Sequence, residues 1–119
     1  MSSFSVGFRS ADNVQILDLR GELDAHTASE LEAAFNRCRQ EDRHNVVVNG
    51  SGLQYISSAG LGVFMAYIED IRERGGDIKI AELQPKVFNV FDLLGFPLLF
   101  EIVSEESEAL ARFSAADQT

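Results

Sequence analysis

Cysteine, tryptophan and positive charge are scarce here: one cysteine, no tryptophan, and ten lysines and arginines against nineteen aspartates and glutamates in 119 residues. With Cys38 alone there is no intramolecular disulfide and no thiolate metal cluster, a usage that suits a reducing compartment. No metal and no cofactor are expected. The formal charge of −9, with its few cations scattered, makes nucleic acid and anionic membrane surfaces poor partners. It leaves a protein with a basic patch as the better match, and favours a monomer when the chain is free. Long apolar runs are missing too. The longest, "LGVFMAYI", is far below the ~18 residues of a membrane span, and "MSSFSVGFRS" has no basic segment leading into an apolar one, so a cytoplasmic location is expected.

No repeat, low-complexity tract or Pro/Gly/Ser-rich linker divides the chain, so the expectation is one domain over residues 1–119, with residues 114–119 a fraying tail. "FSVGF" (Phe4 to Phe8) and "VQILDLRG" (Val14 to Gly21) alternate apolar and polar residues around an Ala11-Asp12-Asn13 turn, which predicts an antiparallel hairpin. Thr27 and Glu30 have capping-box spacing, and Ala28, Leu31, Ala34, Phe35 and Cys38 recur at helical intervals, predicting a helix over Ala28 to Gln40. Cys38 lies on its apolar face as a small hydrophobe.

"NVVVN" (Asn45 to Asn49) reads as a central strand. A second helix starts near Ser58 and stops at Gly75-Gly76, "DIKIAEL" is a strand, and Pro85 opens a third helix with Val87, Val90, Phe91 and Leu94 on one face. "LLFEIV" reads as a last strand and "SEESEALARF" as a last helix with Ser104 a plausible cap. The order β-β-α-β-α-β-α-β-α predicts an α/β fold: a mixed sheet carrying an N-terminal hairpin, flanked by about four helices.

The chemistry concentrates in "LQYISSAGLGVFMAYI", Leu53 to Ile68. Either Ser57 or Ser58 can cap the second helix. A nucleophile elbow needs glycine at position 56, where Ile56 stands, and His26 and His44 both have ordinary places in turns. A Walker loop needs a lysine after its glycines, whereas Val63 and Phe64 follow Gly60 and Gly62. A third reading makes Ser58, or Ser57, a phosphoryl acceptor. Such a phosphate adds about −1.5 to −2 charges at a helix end that tolerates them, while any interface pressed there must desolvate or repel them. Ala59, Gly60 and Gly62 keep the tip small. At about 100° per residue, Leu61, Phe64, Met65, Ile68 and Ile71 share one face of this helix, with Val63 and Tyr67 off it, free either to pack under a neighbour or to extend an apolar patch.

The segments "LRGELDAHTASEL" (Leu19 to Leu31), "VVVNGSGLQYISSAGLGVF" (Val46 to Phe64) and "RGGDIKIAELQPKVFNVFDLLGF" (Arg74 to Phe96) together resemble, in order and spacing, the STAS domains of small bacterial anti-sigma factor antagonists. The resemblance implies a non-enzymatic, partner-switching protein. The unphosphorylated form would bind an anti-sigma factor that is also a serine kinase, phosphorylation would release it, and a serine phosphatase would restore binding. Aligned through Gly60-Leu61-Gly62, the family's acceptor falls on Ser58. Gly21, Glu22, Leu23 and Asp24 match its Gly-Glu-Leu-Asp segment, near the implied partner surface, which takes in Glu22, Asp24, His26, Ser57, Ser58, Ala59, Gly60, Gly62, Val63 and Tyr67. Ser57 stands where the family usually has Asp, Ala59 where it has a second hydroxyl, and Gly50 at a position usually apolar. The alternatives are an adaptor of the same family that is never phosphorylated, or a nucleotide-binding module.

Overall fold

Alternation on either side of Asp12-Asn13 produces the expected hairpin. In the computed structural model, which describes residues 3–117 and their side chains through residue 114, β1 (Phe4–Ala11) pairs antiparallel with β2 (Val14–Leu23) in unbroken register from Phe4 opposite Gly21 to Ala11 opposite Val14. The turn is closed by Asp12 at positive φ, a conformation an aspartate side chain tolerates. α1 (Ala28–Gln40) then leads to β3 (Asn45–Ile56), α2 (Ser58–Glu73), β4 (Asp77–Ala81), α3 (Pro85–Leu93), a short 3-10 turn (Phe96–Leu98), β5 (Ile102–Val103) and α4 (Glu106–Asp117). The sheet order is β1-β2-β3-β4-β5, parallel except for the hairpin. This is the mixed sheet with four helices that the sequence implies.

Strand alternation divides the sheet's side chains between two unequal faces. Leu17, Leu19, Val46, Val48, Ile78 and Ile80 meet Leu31 and Phe35 of α1, Phe64 and Ile68 of α2, and Val87 and Phe91 of α3. Edge-to-face rings, Phe35–Phe64 at 5.7 Å and Phe64–Phe91 at 5.8 Å, tie the three helices together. Cys38 lies in this core, and burial pushes its thiol up to about 11, so it behaves as the small hydrophobe expected. The opposite face, Val14, Ile16, Val47 and Ala81, is covered by Ala109 and Phe113 of α4.

α4 is held by charge as well as by these two side chains. Arg9 Nε and Nη2 donate to Asp18 at 2.6 and 2.7 Å, and Nη2 donates to Glu106 Oε1 at 2.6 Å. Asn49 Nδ2 donates to the same Glu106 oxygen, and the Glu106 amide donates to Glu82. Hydrogen bonding to Arg9 holds both the Asp18 and Glu106 carboxyls below the usual carboxylate range. Lys79, nearly buried on this face, is paired with Asp77 and Glu101 and lies over the Phe113 ring.

Several expectations are corrected. β3 runs seven residues beyond Asn49, because its C-terminal half pairs with the end of β2. "LLFEIV" is not a six-residue strand: Leu98 belongs to the 3-10 turn opened by Phe96-Pro97, and only Ile102 and Val103 pair. Leu94 is 56% exposed rather than part of the apolar face of α3. α4 starts at Glu106, two residues past Ser104, and continues to Asp117, beyond the expected end at Phe113. Residues 118 and 119 of the expected tail lie outside the described residues.

Candidate functional site

Parallel pairing brings the ends of β2 and β3 to the same edge of the sheet. Glu22 stands opposite Tyr55 and Leu23 opposite Ile56, and the Ser57 amide donates to the Leu23 carbonyl at 2.9 Å. The loop after β2 therefore lies against the start of α2. Asp24, His26, Ser57 and Ser58, well apart in sequence, share this tip.

The loop is braced from inside. Asp24 Oδ1 accepts from the His26 amide at 2.9 Å and the Thr27 amide at 3.2 Å, as short polar side chains do in turns. Thr27 Oγ1 donates to the Glu22 carbonyl and accepts from the Asp24 amide. Thr27 is the residue before α1, yet its hydroxyl makes no cap bond, so the expected capping box with Glu30 is absent. The hydroxyl is consumed by the Asp24 turn. Gly21 allows the strand to enter this turn: its φ is +98°, and a Cβ there would meet the Ser3 carbonyl oxygen at 2.1 Å.

The two serines occupy different environments. Ser57 precedes α2 with extended backbone, but its hydroxyl is buried without a hydrogen-bond partner and makes no cap bond. Ser58, the first helical residue, is exposed. No acidic side chain lies in the first turn of α2, so the helix itself sets no negative charge against the positive end of its dipole. An anion carried on Ser58 would meet that end of the helix.

The small residues do separate jobs. A Cβ on Gly60 would lie 2.7 Å from Leu23 Cγ and 3.0 Å from Ile56 Cγ1, so Gly60 lets the helix settle onto the strand ends rather than keeping the tip open. Around Gly62 nothing lies within 4 Å of a Cβ. Ala59 is half-buried. Gly50 accommodates Leu83, whose Cδ2 would stand 2.5 Å from a Cβ, so the apolar bulk at that point of the strand comes from a neighbouring loop.

Two residues expected on the partner surface are directed inward. Val63 is 5% exposed and belongs to the main core. Tyr67 is half-buried against Phe35, ring centroids 5.4 Å apart, with Arg39 over its face. Met65, placed on the apolar face by the helical interval, is instead 46% exposed. α2 packs on the sheet and on α1, which rotates its buried arc away from Met65.

Tyr55 was not singled out by sequence reasoning and is 51% exposed. Leu53 pairs with Gly21 while Tyr55 pairs with Glu22, so Gln54 is an extra residue on β3. That bulge breaks the alternation and turns the ring outward. Glu22 and His26 are exposed near it and Asp24 is partly so. Among the described residues, no group of three or more His, Cys, Asp or Glu side chains could hold a metal ion, and no helix is long and apolar enough to cross a membrane.

A family profile described as the STAS domain matches residues 6–109. A Bordetella bronchiseptica protein, described as a candidate anti-sigma factor antagonist, is 32% identical over 105 residues, spanning 88% of this chain and 90% of its own. An anti-sigma-B factor antagonist of Staphylococcus epidermidis is 30% identical over 91 residues, 76% of this chain and 84% of its own. The crystal structure of an anti-sigma factor antagonist from Mycobacterium paratuberculosis shares the fold, with a TM-score of 0.85 at 23% identity over 92% of this chain and 93% of that one.

Proposed function

Because the chain belongs to the STAS domain family, we propose that it is an anti-sigma factor antagonist released from its partner by phosphorylation at Ser58. The partner is an anti-sigma factor with serine kinase activity, and a serine phosphatase resets the cycle. In this reading the protein is itself not an enzyme, works in the cytoplasm, and engages neither nucleic acid nor membrane directly.

The observation that carries the choice of acceptor is the unequal pair of hydroxyls. Ser58 is exposed at the first position of α2, while the Ser57 hydroxyl is buried. A kinase must bring its γ-phosphate in line with the attacking oxygen, and only an accessible hydroxyl permits that approach. The phosphate would then sit at a helix end that favours it by roughly 0.3–1 kcal/mol, leaving the fold intact. Its charge of about −1.5 to −2 would be added to the tip that the Leu23–Ser57 hydrogen bond draws together, and a partner pressed there would have to desolvate it.

The surface argued to touch the partner comprises Glu22, His26, Tyr55, Ser58, Gly62 and Met65. Asp24 shapes it through the loop it braces. Ala59, Ser57, Gly60, Val63 and Tyr67 support it from the side or beneath.

The test is peptide mass analysis of the protein isolated from its own cells, beside Ser58→Ala. Phosphate on Ser58 that vanishes in the variant supports the reading. Phosphate on Ser57, or none under any growth condition, counts against it. In a binding assay Ser58→Ala should retain the partner and Ser58→Asp should lose affinity by tenfold or more, about 1.4 kcal/mol.

A further inference from the structure

We propose that β1 is a self-association edge, through which two copies of this chain pair antiparallel about a two-fold axis into one continuous ten-stranded sheet. β1 is the outermost strand of the order β1-β2-β3-β4-β5, and its register with β2 is unbroken over eight residues. The Glu22 amide donates to the Ser3 carbonyl. By antiparallel alternation Ser5, Gly7 and Arg9 also bond to β2, so Phe4, Val6, Phe8 and Ser10 direct their backbone N–H and C=O groups outward. An exposed edge of this length is ordinarily blunted by lysine, proline or a bulge. Here none is present, and the strand's single charge, Arg9, is turned to the α4 face and held by Asp18 and Glu106.

Beside that edge, between β1 and α1, lies an open groove of about 390 Å³ whose walls include Phe4, Val6, Phe8 and Ala33. Its charged residues are Glu30 and Arg37, seven positions apart on α1, with the Arg37 guanidinium 4.1 Å from the centre of the Phe8 ring. This arrangement selects the occupant. With Val6 paired to its own symmetry mate, Phe4 of one copy falls opposite Phe8 of the other. The same two-fold axis brings Glu30 of each copy toward Arg37 of the other. A two-fold pairing thus satisfies at once the backbone groups and the apolar wall, gives Glu30 a cation, and adds a second carboxylate to Arg37, which within its own chain is paired with Glu41 at 3.2 Å.

The formal charge of −9 on each copy opposes association, so the monomer expected from the sequence describes the dilute chain and pairing is a high-concentration state. Ser58 lies on α2, which follows the central strand β3, so the pairing does not depend on the phosphorylation reading.

Sedimentation equilibrium from about 1 to about 500 µM reads the mass-action shift directly. The apparent mass should double across the range. Val6→Pro, which removes an outward N–H while sparing the β2 ladder, should keep the circular dichroism of the folded chain and remain monomeric. Glu30→Arg should weaken association, and Glu30→Arg with Arg37→Glu should restore it. A chain that stays monomeric throughout overturns the proposal. So does a dimer indifferent to these changes, or one lost instead on Leu98→Ser, which would move the contact to the exposed leucines of 93–99.

Discussion

Neighbouring small residues at the α2 tip are not equivalent, and their differences are measurable. Ser57→Ala deletes a buried hydroxyl with no partner. It should be neutral or stabilise by up to about 1 kcal/mol in urea unfolding, and leave phosphorylation unchanged. Gly60→Ala forces a Cβ to within 2.7 Å of Leu23, itself fully buried. The overpacking should outweigh the gain in helix propensity and cost about 1–2 kcal/mol. Gly62→Ala meets nothing within 4 Å and should stabilise by about 1 kcal/mol, because alanine loses less backbone freedom in a helix. The same methyl would weaken partner binding if Gly62 is touched by the partner, so stability and affinity should move in opposite directions. Calorimetry beside urea unfolding separates the two.

At the scale of elements, what the sequence made legible was what local pattern governs. The hairpin and α1, whose Ala28–Gln40 bounds agree with the structure, follow from alternation, turn residues and helical spacing. The misplacements have non-local causes. β3 extends through Gly50-Ser51-Gly52 only because the end of β2 is there to pair with, and the bulge at Gln54 that exposes Tyr55 follows from that pairing. Thr27 lost its capping role to an aspartate three residues away, and Val63 and Met65 exchanged places because α2 has two neighbours to bury against. At the candidate site, the motif points to Ser58, Glu22 and His26, which are exposed, whereas it gives no sign of the exposed Tyr55. α4 depends on contacts still more remote: Arg9 reaches across 97 residues to Glu106. Since Asp18 and Glu106 are held below the usual carboxylate range, their contribution is full above the unfolded values near ~4 and is lost as pH falls through the folded ones. Stability measured from pH 7 to 2 should therefore drop in the acid limb. Arg9→Met should flatten that limb and cost about 1 kcal/mol at pH 7, a modest figure because the arginine is half exposed.

For the molecule as a whole, the arrangement keeps the proposed phosphorylation site apart from the groups that hold the fold. The core is assembled beneath α1, α2 and α3, and the second face is closed by α4, while Ser58 is exposed and belongs to neither core cluster. A negative charge added there meets the free amides of a helix start and a chain that already carries −9. Within the chain the two effects oppose each other: the dipole favours the charge by a few tenths of a kcal/mol, and the surrounding acids disfavour it by a similar amount. The melting temperature of Ser58→Asp should therefore lie within about 2–3 °C of the parent, as expected for a surface change of under 0.5 kcal/mol. Binding has no such cancellation where the partner sets apolar or acidic groups against Ser58, because that contact loses area and gains a charge to desolvate or repel. If repulsion across the interface is the main cause, raising salt from about 0.1 to about 1 M shortens the Debye length from ~10 to ~3 Å and should recover much of the affinity lost by Ser58→Asp. If desolvation dominates, salt should recover little. An affinity series in salt, run beside thermal melts of the same variants, decides which of the two ejects the partner, and a large fall in melting temperature would show instead that the switch acts through the fold.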